Sequence, residues 1–135
     1  AFGLIQLKSI DKQIAKRQQI AEMYREKLAV VNGVKVFHDM LGVSHNYGYF
    51  PIEITEKYPL NRDELYDLLK TNGFYVRKYF YPLVSHFPPY KNLASSQDGC
   101  LPFAEKISQQ ILCLPIYPDL ELSLVNTIVN LIKDV

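Results

Sequence analysis

The sequence predicts an α+β fold in which a small, mostly antiparallel sheet packs on helices and a long helix stands at the start of the chain. Two patterns support this class. Apolar residues recur at three- and four-residue steps over residues 4–31, as in an amphipathic helix. Aromatic and β-branched residues fill residues 74–83, which favours a strand. With 135 residues and no linker-like segment, the chain is expected to form one domain.

The first helix is predicted to be long. Its apolar side is formed by Leu4, Leu7, Ile10, Ile14, Ala21, Tyr24 and Leu28. Asn32-Gly33 supplies a left-handed stop, so the helix would reach about 40 Å, nearly the size of the whole domain. It is either a plain core helix or one whose first turns pack on something outside this chain. Because the chain starts without Met or a capping residue, we expect it to be an interior piece of a longer protein.

The next elements alternate between strand and helix patterns. Residues 34–37 and 45–54 are predicted strands, and Pro51 marks the second one as an edge strand or a bulge because it lacks a backbone donor. Asn61 and Glu64 form a capping-box pattern for a helix that ends at Asn72-Gly73. The strands near Val34, Tyr47 and Phe74 should share one sheet.

The last third of the chain is predicted to combine a long loop with two helices. Residues 84–100 are loop-like, and such a long irregular segment is usually functional or mobile. A helix is expected over about 103–112, extended chain over 114–118, and a final amphipathic helix over 122–133.

Composition limits the partners. The net charge of +1 gives no broad attraction to nucleic acid, and no apolar run approaches the roughly 20 residues that span a bilayer. Cys100 and Cys113 have no metal-type spacing, so they are interpreted as reduced thiols, with a disulfide left open. A cytoplasmic location is the resulting expectation.

The candidate binding residues lie in the aromatic strand. The two-residue period places Phe74, Val76 and Phe80 on one face, interrupted by Lys78, as a core face. The other face carries one cationic and three aromatic side chains, those of Arg77, Tyr75, Tyr79 and Tyr81. Arg77 suits bidentate bonds to a phosphate or carboxylate, although a solvated surface arginine remains the plainer alternative.

Catalytic machinery is not evident in the sequence. The three histidines have no ligand spacing, no Gly-rich phosphate loop is present, and no lysine sits in a context that suggests a desolvated amine. We therefore assign no catalytic, cofactor-binding or metal-binding residue to this chain.

Five segments in order resemble landmarks of the DegT/DnrJ/EryC1/StrS family of sugar aminotransferases. The first two, residues 3–11 and 17–24, resemble the patterns GLxQLxxLD and RRxIAxxY. The others are residues 61–65, 79–83 and 112–118. Within residues 76–83, the order VRKYFYPL is similar to the branch that acts on dTDP-linked amino-deoxyhexoses.

The resemblance implies an aspartate-aminotransferase-like (fold-type I) enzyme. Residues 1–135 would be its C-terminal small domain, and 1–31 the long helix between domains. The parent would use pyridoxal phosphate, act on a nucleotide-linked keto-deoxysugar with glutamate as amino donor, and form a homodimer. The catalytic lysine would lie in a large upstream domain, so this chain alone would be inactive and bind no cofactor.

The resemblance also points Arg77, Tyr79 and Tyr81 at the sugar-nucleotide end of the site. Many members carry His where Tyr79 stands, so a hydrogen-bonding or stacking role is implied here rather than a proton relay. The alternative function is a non-enzymatic α+β binding or dimerisation module with the same fold, in which the tyrosine face is a partner surface.

Overall fold

The structure, a computed structural model, describes residues 2–135. In this part of the chain, five helices and four strands are connected by loops and two short 3-10 turns, Val84–His86 and Ala94–Ser96. The elements in chain order are α1 (Phe2–Leu7), α2 (Ile10–Leu28), β1 (Val34–Val36), β2 (Phe50–Ile54), α3 (Arg62–Thr71), β3 (Arg77–Lys78), α4 (Pro102–Gln110), β4 (Ile111–Leu114) and α5 (Leu122–Lys133).

The sheet has the order β1-β2-β4-β3, and every neighbouring pair is antiparallel. This confirms the predicted α+β class with an antiparallel sheet packed on helices, and strands near Val34, Tyr47 and Phe74 do share that sheet. One face packs against α2, α3 and α5 and forms the core. Its strand residues are Val34, Phe50, Ile52, Ile54, Leu112 and Leu114.

The predicted continuous first helix is interrupted. Helix α1 ends at Leu7, and α2 begins at Ile10 after a turn at Lys8 and Ser9. The Ser9 hydroxyl donates to the Gln6 carbonyl at 3.1 Å, and the Ser9 backbone amide bonds the same oxygen. Serine competes in this way for backbone partners, which is why it breaks helices that periodicity alone would continue.

Burial follows the helical pattern only in the second half of this segment. Ile20, Tyr24 and Leu28 are buried in the core, as the amphipathic pattern predicts. Leu4 and Leu7, placed on the same apolar side, are largely exposed. The pattern therefore describes a covered helix, α2, preceded by a short apolar helix that nothing in residues 2–135 covers.

Two predictions about strand position are wrong. Strand β2 starts only at Phe50 and is an interior strand, not an edge strand. Pro51 is tolerated because the ladder to β1 ends at the Val36–Ile52 pair, so position 51 has a strand partner, Cys113, only in β4. The helix expected to reach residue 112 ends at Gln110.

Strand β4 was not predicted over its full extent, although it is the fully buried strand between β2 and β3. Its sequence, Ile-Leu-Cys-Leu, is a continuous apolar run that lacks the alternation of a half-buried strand. A run this short is compatible with the end of a helix as well as with a strand, and only the sheet contacts decide between them.

The helix after Asn61 is confirmed in detail. The Asn61 side chain accepts from the backbone amides of Asp63 and Glu64, and the Glu64 carboxylate accepts from the Asn61 amide. The helix ends at Thr71, with Asn72 as its C-cap, and Gly73 follows with φ +84°. The final helix, Leu122–Lys133, also has the predicted bounds. No helix within residues 2–135 is long and apolar enough to cross a membrane.

Candidate functional site

A cavity of about 280 Å³ lies where β3 ends and the long loop begins. Its lining is mostly aromatic with two cationic side chains. The lining residues are Tyr49, Arg77, Lys78, Tyr79, Phe80, Tyr81, Pro82, Val84 and Phe87. All three predicted binding residues, Arg77, Tyr79 and Tyr81, are therefore brought together in one place.

The reason they meet differs from the one predicted. A strand over residues 74–83 would place them on one face by alternation, but β3 contains only Arg77 and Lys78. Phe80 has φ +44°, in the left-handed region, so the two-residue period does not continue. Phe80, predicted to be in the core, is 66% exposed and lines the same cavity as Tyr79 and Tyr81.

Arg77 lies on the sheet face opposite the main core. It is the strand partner of Cys113, whose thiol is buried. Burial raises the pKa of Cys113 to about 11, and the nearby Arg77 charge opposes that rise. Arg77 is exposed and has no ion pair or side-chain hydrogen bond with any residue that the structure describes. Its guanidinium is thus available to an anionic ligand.

Tyr79 is held by aromatic contacts rather than hydrogen bonds. Its ring centroid lies 5.3 Å from that of Tyr49 in an edge-on arrangement and 4.2 Å from that of Phe80. The edge-to-face arrangement with Tyr49 is one of the favoured aromatic geometries, and Phe80 lies tilted against the same ring. Within residues 2–135 the Tyr79 hydroxyl has no hydrogen-bond partner, so it remains free to bond a ligand.

Tyr81 lies over a buried cation. The guanidinium carbon of Arg62 is 4.7 Å from the Tyr81 ring centroid, and Arg62 itself is only 3% exposed. Tyr81 is half exposed and lines the cavity. The ring therefore joins a buried arginine to an open surface.

Lys78 is the second cation of the cavity, and its charge is already paired. Its Nζ bonds the Asp63 carboxylate and lies 4.7 Å from the Tyr66 ring centroid. The hydrogen bond from Lys78, and the adjacent Arg62 charge, hold the pKa of Asp63 below its usual value of 3.8. Lys78 is thus neutralised by helix α3, whereas Arg77 on the other face is not.

Sequence reasoning missed Arg62, Asp63 and Tyr49. Arg62 and Asp63 lie in the first turn of α3, where an acidic residue is ordinary and an arginine carries no sign of burial. Tyr49 is remote in sequence from Tyr79 and meets it only through the sheet. No local pattern distinguishes these residues as parts of a site. The only signal near Arg62 and Asp63 is that residues 61–65 resemble a family landmark.

Within residues 2–135, this cavity does not contain the groups of a complete pyridoxal phosphate site. An aldimine-forming site needs a free lysine amine and a phosphate cradle. Of the residues that line this cavity within 2–135, Lys78 is the sole lysine, and Asp63 engages it. The residues present therefore do not fit the whole cofactor.

The α+β fold is that of solved DegT/DnrJ/EryC1/StrS aminotransferases. The model of the DegT/DnrJ/EryC1/StrS aminotransferase family matches residues 1–133. The chain belongs to that family, whose aminotransferases use pyridoxal phosphate.

Named relatives agree with the family match. The chain is 43% identical over 132 residues to a dTDP-4-amino-4,6-dideoxy-D-glucose transaminase of Escherichia coli, covering 98% of this chain and 36% of that protein. It is 33% identical to the enzyme of the same name from Shigella dysenteriae, covering 100% of this chain and 36% of the relative.

Solved structures show the same architecture. DesV of S. venezuelae, solved in complex with a ketimine intermediate, superposes with a TM-score of 0.84 at 28% identity over 96% of this chain and 33% of that structure. The chain thus spans about a third of the length of the relatives that it matches.

Proposed function

We propose that this chain is the C-terminal small domain of a pyridoxal-phosphate-dependent aminotransferase that exchanges an amino group between glutamate and a nucleotide-linked keto-deoxysugar. The family match over residues 1–133 is the observation that carries this proposal. The names of the relatives support a dTDP-linked 4,6-dideoxyhexose as the sugar class. The bound cofactor would carry the amino group between donor and sugar, and the remainder of the parent protein would hold it.

In this proposal the cavity around β3 contacts the sugar nucleotide. Arg77, the free cation, bonds a phosphate or another acidic group of the substrate. The Tyr79 hydroxyl donates to a sugar or cofactor oxygen, while the ring contacts with Tyr49 and Phe80 fix its direction. Tyr81 offers a ring face for stacking. These groups bind and orient, which is the protein's usual share of cofactor chemistry.

The partners proposed for the chain are the large cofactor-binding domain of the parent and a second copy of the parent. Leu4, Ile5 and Leu7 on α1 are between 62% and 69% exposed, which is much apolar surface for one short helix. Contiguous apolar patches tend to be covered in an assembly. We expect the isolated chain to associate, and a monomer by light scattering at high protein concentration would contradict this. The cytoplasmic location stays a prediction.

A direct test uses the full-length parent in the reverse direction. Purified parent is incubated with dTDP-4-amino-4,6-dideoxy-D-glucose and 2-oxoglutarate, and glutamate formation is followed by mass spectrometry. Steady production of glutamate and the keto-sugar supports the proposal. A parent that binds the sugar nucleotide yet never forms glutamate, with cofactor present, would favour the non-enzymatic module instead.

The assignment of the cofactor lysine to the rest of the parent is tested on the isolated chain. The chain is mixed with pyridoxal phosphate, reduced with borohydride, and digested to map modified lysines. We expect scattered, substoichiometric labelling, because Lys78, the one lysine among the described residues that line the cavity, is already paired with Asp63. Stoichiometric labelling at one lysine, Lys78 in particular, would overturn the assignment.

A further inference from the structure

Arg62 is a buried charge that the candidate site, as predicted from sequence, does not include. It is 3% exposed, and its guanidinium donates to two main-chain carbonyls of another part of the chain, Ser108 at 2.9 Å and Ile111 at 3.3 Å. Its Nε bonds the Asp63 carboxylate at 2.7 Å. A buried charge is tolerated when it is paired and hydrogen-bonded in this way.

The same guanidinium is connected to two residues that line the cavity. It lies 4.7 Å from the centroid of the Tyr81 ring, which lines the cavity. It also shares the Asp63 carboxylate with Lys78, the second cation of the cavity wall. Because the carbonyls of Ser108 and Ile111 anchor it at the junction of α4 and β4, Arg62 fixes both side chains relative to the sheet.

We propose that Arg62 is a positioning residue for sugar-nucleotide binding: it holds the Tyr81 ring at the mouth of the cavity and, through Asp63, keeps the Lys78 charge turned toward α3. This inference rests on the proposed function of the cavity. Arg62 touches no substrate in this scheme. Its planar, five-donor fork is what allows one side chain to bond two carbonyls and a carboxylate and still lie over a ring.

The substitution Arg62→Lys tests the role because it keeps the charge and removes the fork. An ammonium group has three donors and no planar fork, so it cannot satisfy the same bonds and also keep the contact with the ring. In the full-length parent we expect the KM for the dTDP-sugar to rise about three- to thirtyfold, the range that loss of a desolvated cation–π contact gives, with the half-reaction with glutamate nearly unchanged. Tyr81→Leu should raise the KM similarly, and the double variant should be no worse than the weaker-binding single.

A matched control comes from the same helix. The Nζ of Lys70 lies 5.8 Å from the Tyr66 ring centroid on an exposed surface and lines no part of this cavity. Lys70→Gln should leave the KM and the glutamate half-reaction unchanged. If Arg62 is merely structural, Arg62→Lys lowers the thermal midpoint, leaves the KM unchanged, and adds independently to Tyr81→Leu.

A measurement without substrate separates this inference from the proposed function. The parent is labelled with 3-fluorotyrosine, and the fluorine signal of Tyr81 is assigned by its loss in Tyr81→Phe. In Arg62→Lys we expect that signal to shift, while Lys70→Gln leaves it in place. An unmoved signal overturns the positioning role whatever the substrate. A shifted signal with an unchanged KM in an active parent also overturns it, whereas a shifted signal in a parent that forms no glutamate supports the positioning and rejects the proposed function.

Discussion

The centre of the sheet and its edge at β3 differ in how far their strands pair and how deeply their side chains are buried. At the centre, β2 and β4 pair over Phe50–Glu53 and Ile111–Leu114, and every residue of β4 is buried. At the edge, β3 pairs over only two residues before the chain turns away into an exposed aromatic loop. The centre is closely packed, whereas the edge presents a guanidinium and a hydroxyl without partners among residues 2–135, together with exposed rings.

This difference teaches where stability and recognition are located. Burial of apolar side chains at the centre lowers the free energy of the folded state. Substitutions there should therefore change the free energy of unfolding. The edge residues bury little surface, so substitutions there should act on ligand binding and leave folding nearly intact. Arg62 is the exception, because it is buried like a core residue but contacts a cavity residue.

The largest effect is expected at the centre. Leu112 is completely buried and lies between β2 and β3, so Leu112→Ala should lower the free energy of unfolding by about 2–5 kcal/mol. Leu41→Ala, at a fully exposed loop position, is the control and should change it by less than about 0.5 kcal/mol. Urea unfolding of the parent, followed by far-UV circular dichroism, gives both values. Equal changes in the free energy of unfolding for the two variants would remove the distinction between the two regions.

Two glycines with nearly the same backbone conformation sharpen the comparison. Gly33 has φ +83°, and a Cβ added there would overlap the Tyr58 backbone nitrogen. Gly99, in the exposed loop, has φ +84°, and a Cβ added there would meet no atom within 4 Å. Gly33→Ala should therefore lower the free energy of unfolding by about 2–4 kcal/mol, because the steric overlap adds to the penalty of a positive φ. Gly99→Ala should lower the free energy of unfolding only by the penalty of a positive φ, about 1–2 kcal/mol. Thermal unfolding distinguishes them.

At the edge the expected effect is on binding. Arg77→Ala removes the charge-assisted hydrogen bond proposed between Arg77 and the substrate, so the KM of the parent for the dTDP-sugar should rise about ten- to a hundredfold, with an unchanged half-reaction with glutamate. Arg17→Ala is the matched control, since Arg17 bonds the Asn46 carbonyl outside the cavity. If Arg77 is a solvated surface residue that does not contact the substrate, Arg77→Ala should keep the wild-type kcat/KM, and that result would reject the site assignment.

Tyr79→Phe makes a finer test at the same edge. It keeps the ring contacts with Tyr49 and Phe80 and removes only the hydroxyl. We expect turnover with the sugar substrate to fall while the thermal midpoint stays near that of the wild type. A variant with normal kinetics and reduced thermal stability would show that Tyr79 serves packing instead.

The smallest effect concerns acid stability. Arg25 hydrogen-bonds Asp39 and holds the pKa of that carboxyl below its usual 3.8. A lowered pKa in the folded state contributes stability that is present above the unfolded pKa and is lost as the pH falls through the folded value. Asp39→Asn should therefore destabilise at neutral pH and flatten the decline in stability below about pH 4.

The equivalent pair at the edge gives the comparison. The pKa of Asp63 is lowered by Lys78 in the same direction, but its side chain is 55% exposed against 30% for Asp39. Asp63 also bonds the buried Arg62, but its own carboxylate is the more exposed of the two and is screened more by solvent, so Asp63→Asn should flatten the pH dependence less. Urea unfolding across this pH range measures both variants. A larger effect at Asp63 would contradict the ranking.

Much of this architecture follows from local sequence signals. The capping box at Asn61 and Glu64 and the apolar period of the last helix each specify an element through contacts within a few residues. Such signals are local, so they survive without knowledge of the fold. The three binding candidates were also found from sequence, because cationic and aromatic residues concentrate in one short segment.

Other features required the assembled chain. The period over residues 4–31 does not reveal that the Ser9 hydroxyl takes the Gln6 carbonyl and divides the helix. The run Ile111–Leu114 does not reveal that it lies between two strands. Competition between hydrogen-bond partners, and pairing with residues remote in sequence, decide these points.

By itself, the sequence determined the α+β class, the family landmarks, the capped helix and the chemical character of residues 77–81. Only the tertiary structure decided that the strand stops at Lys78, that Phe80 faces the cavity, and that Arg62 lies buried under Tyr81. The physical reason is that residue type and spacing fix local propensity. Burial of a charge and the meeting of Arg62 with Ser108 and Ile111 depend on which surfaces come together when the whole chain packs.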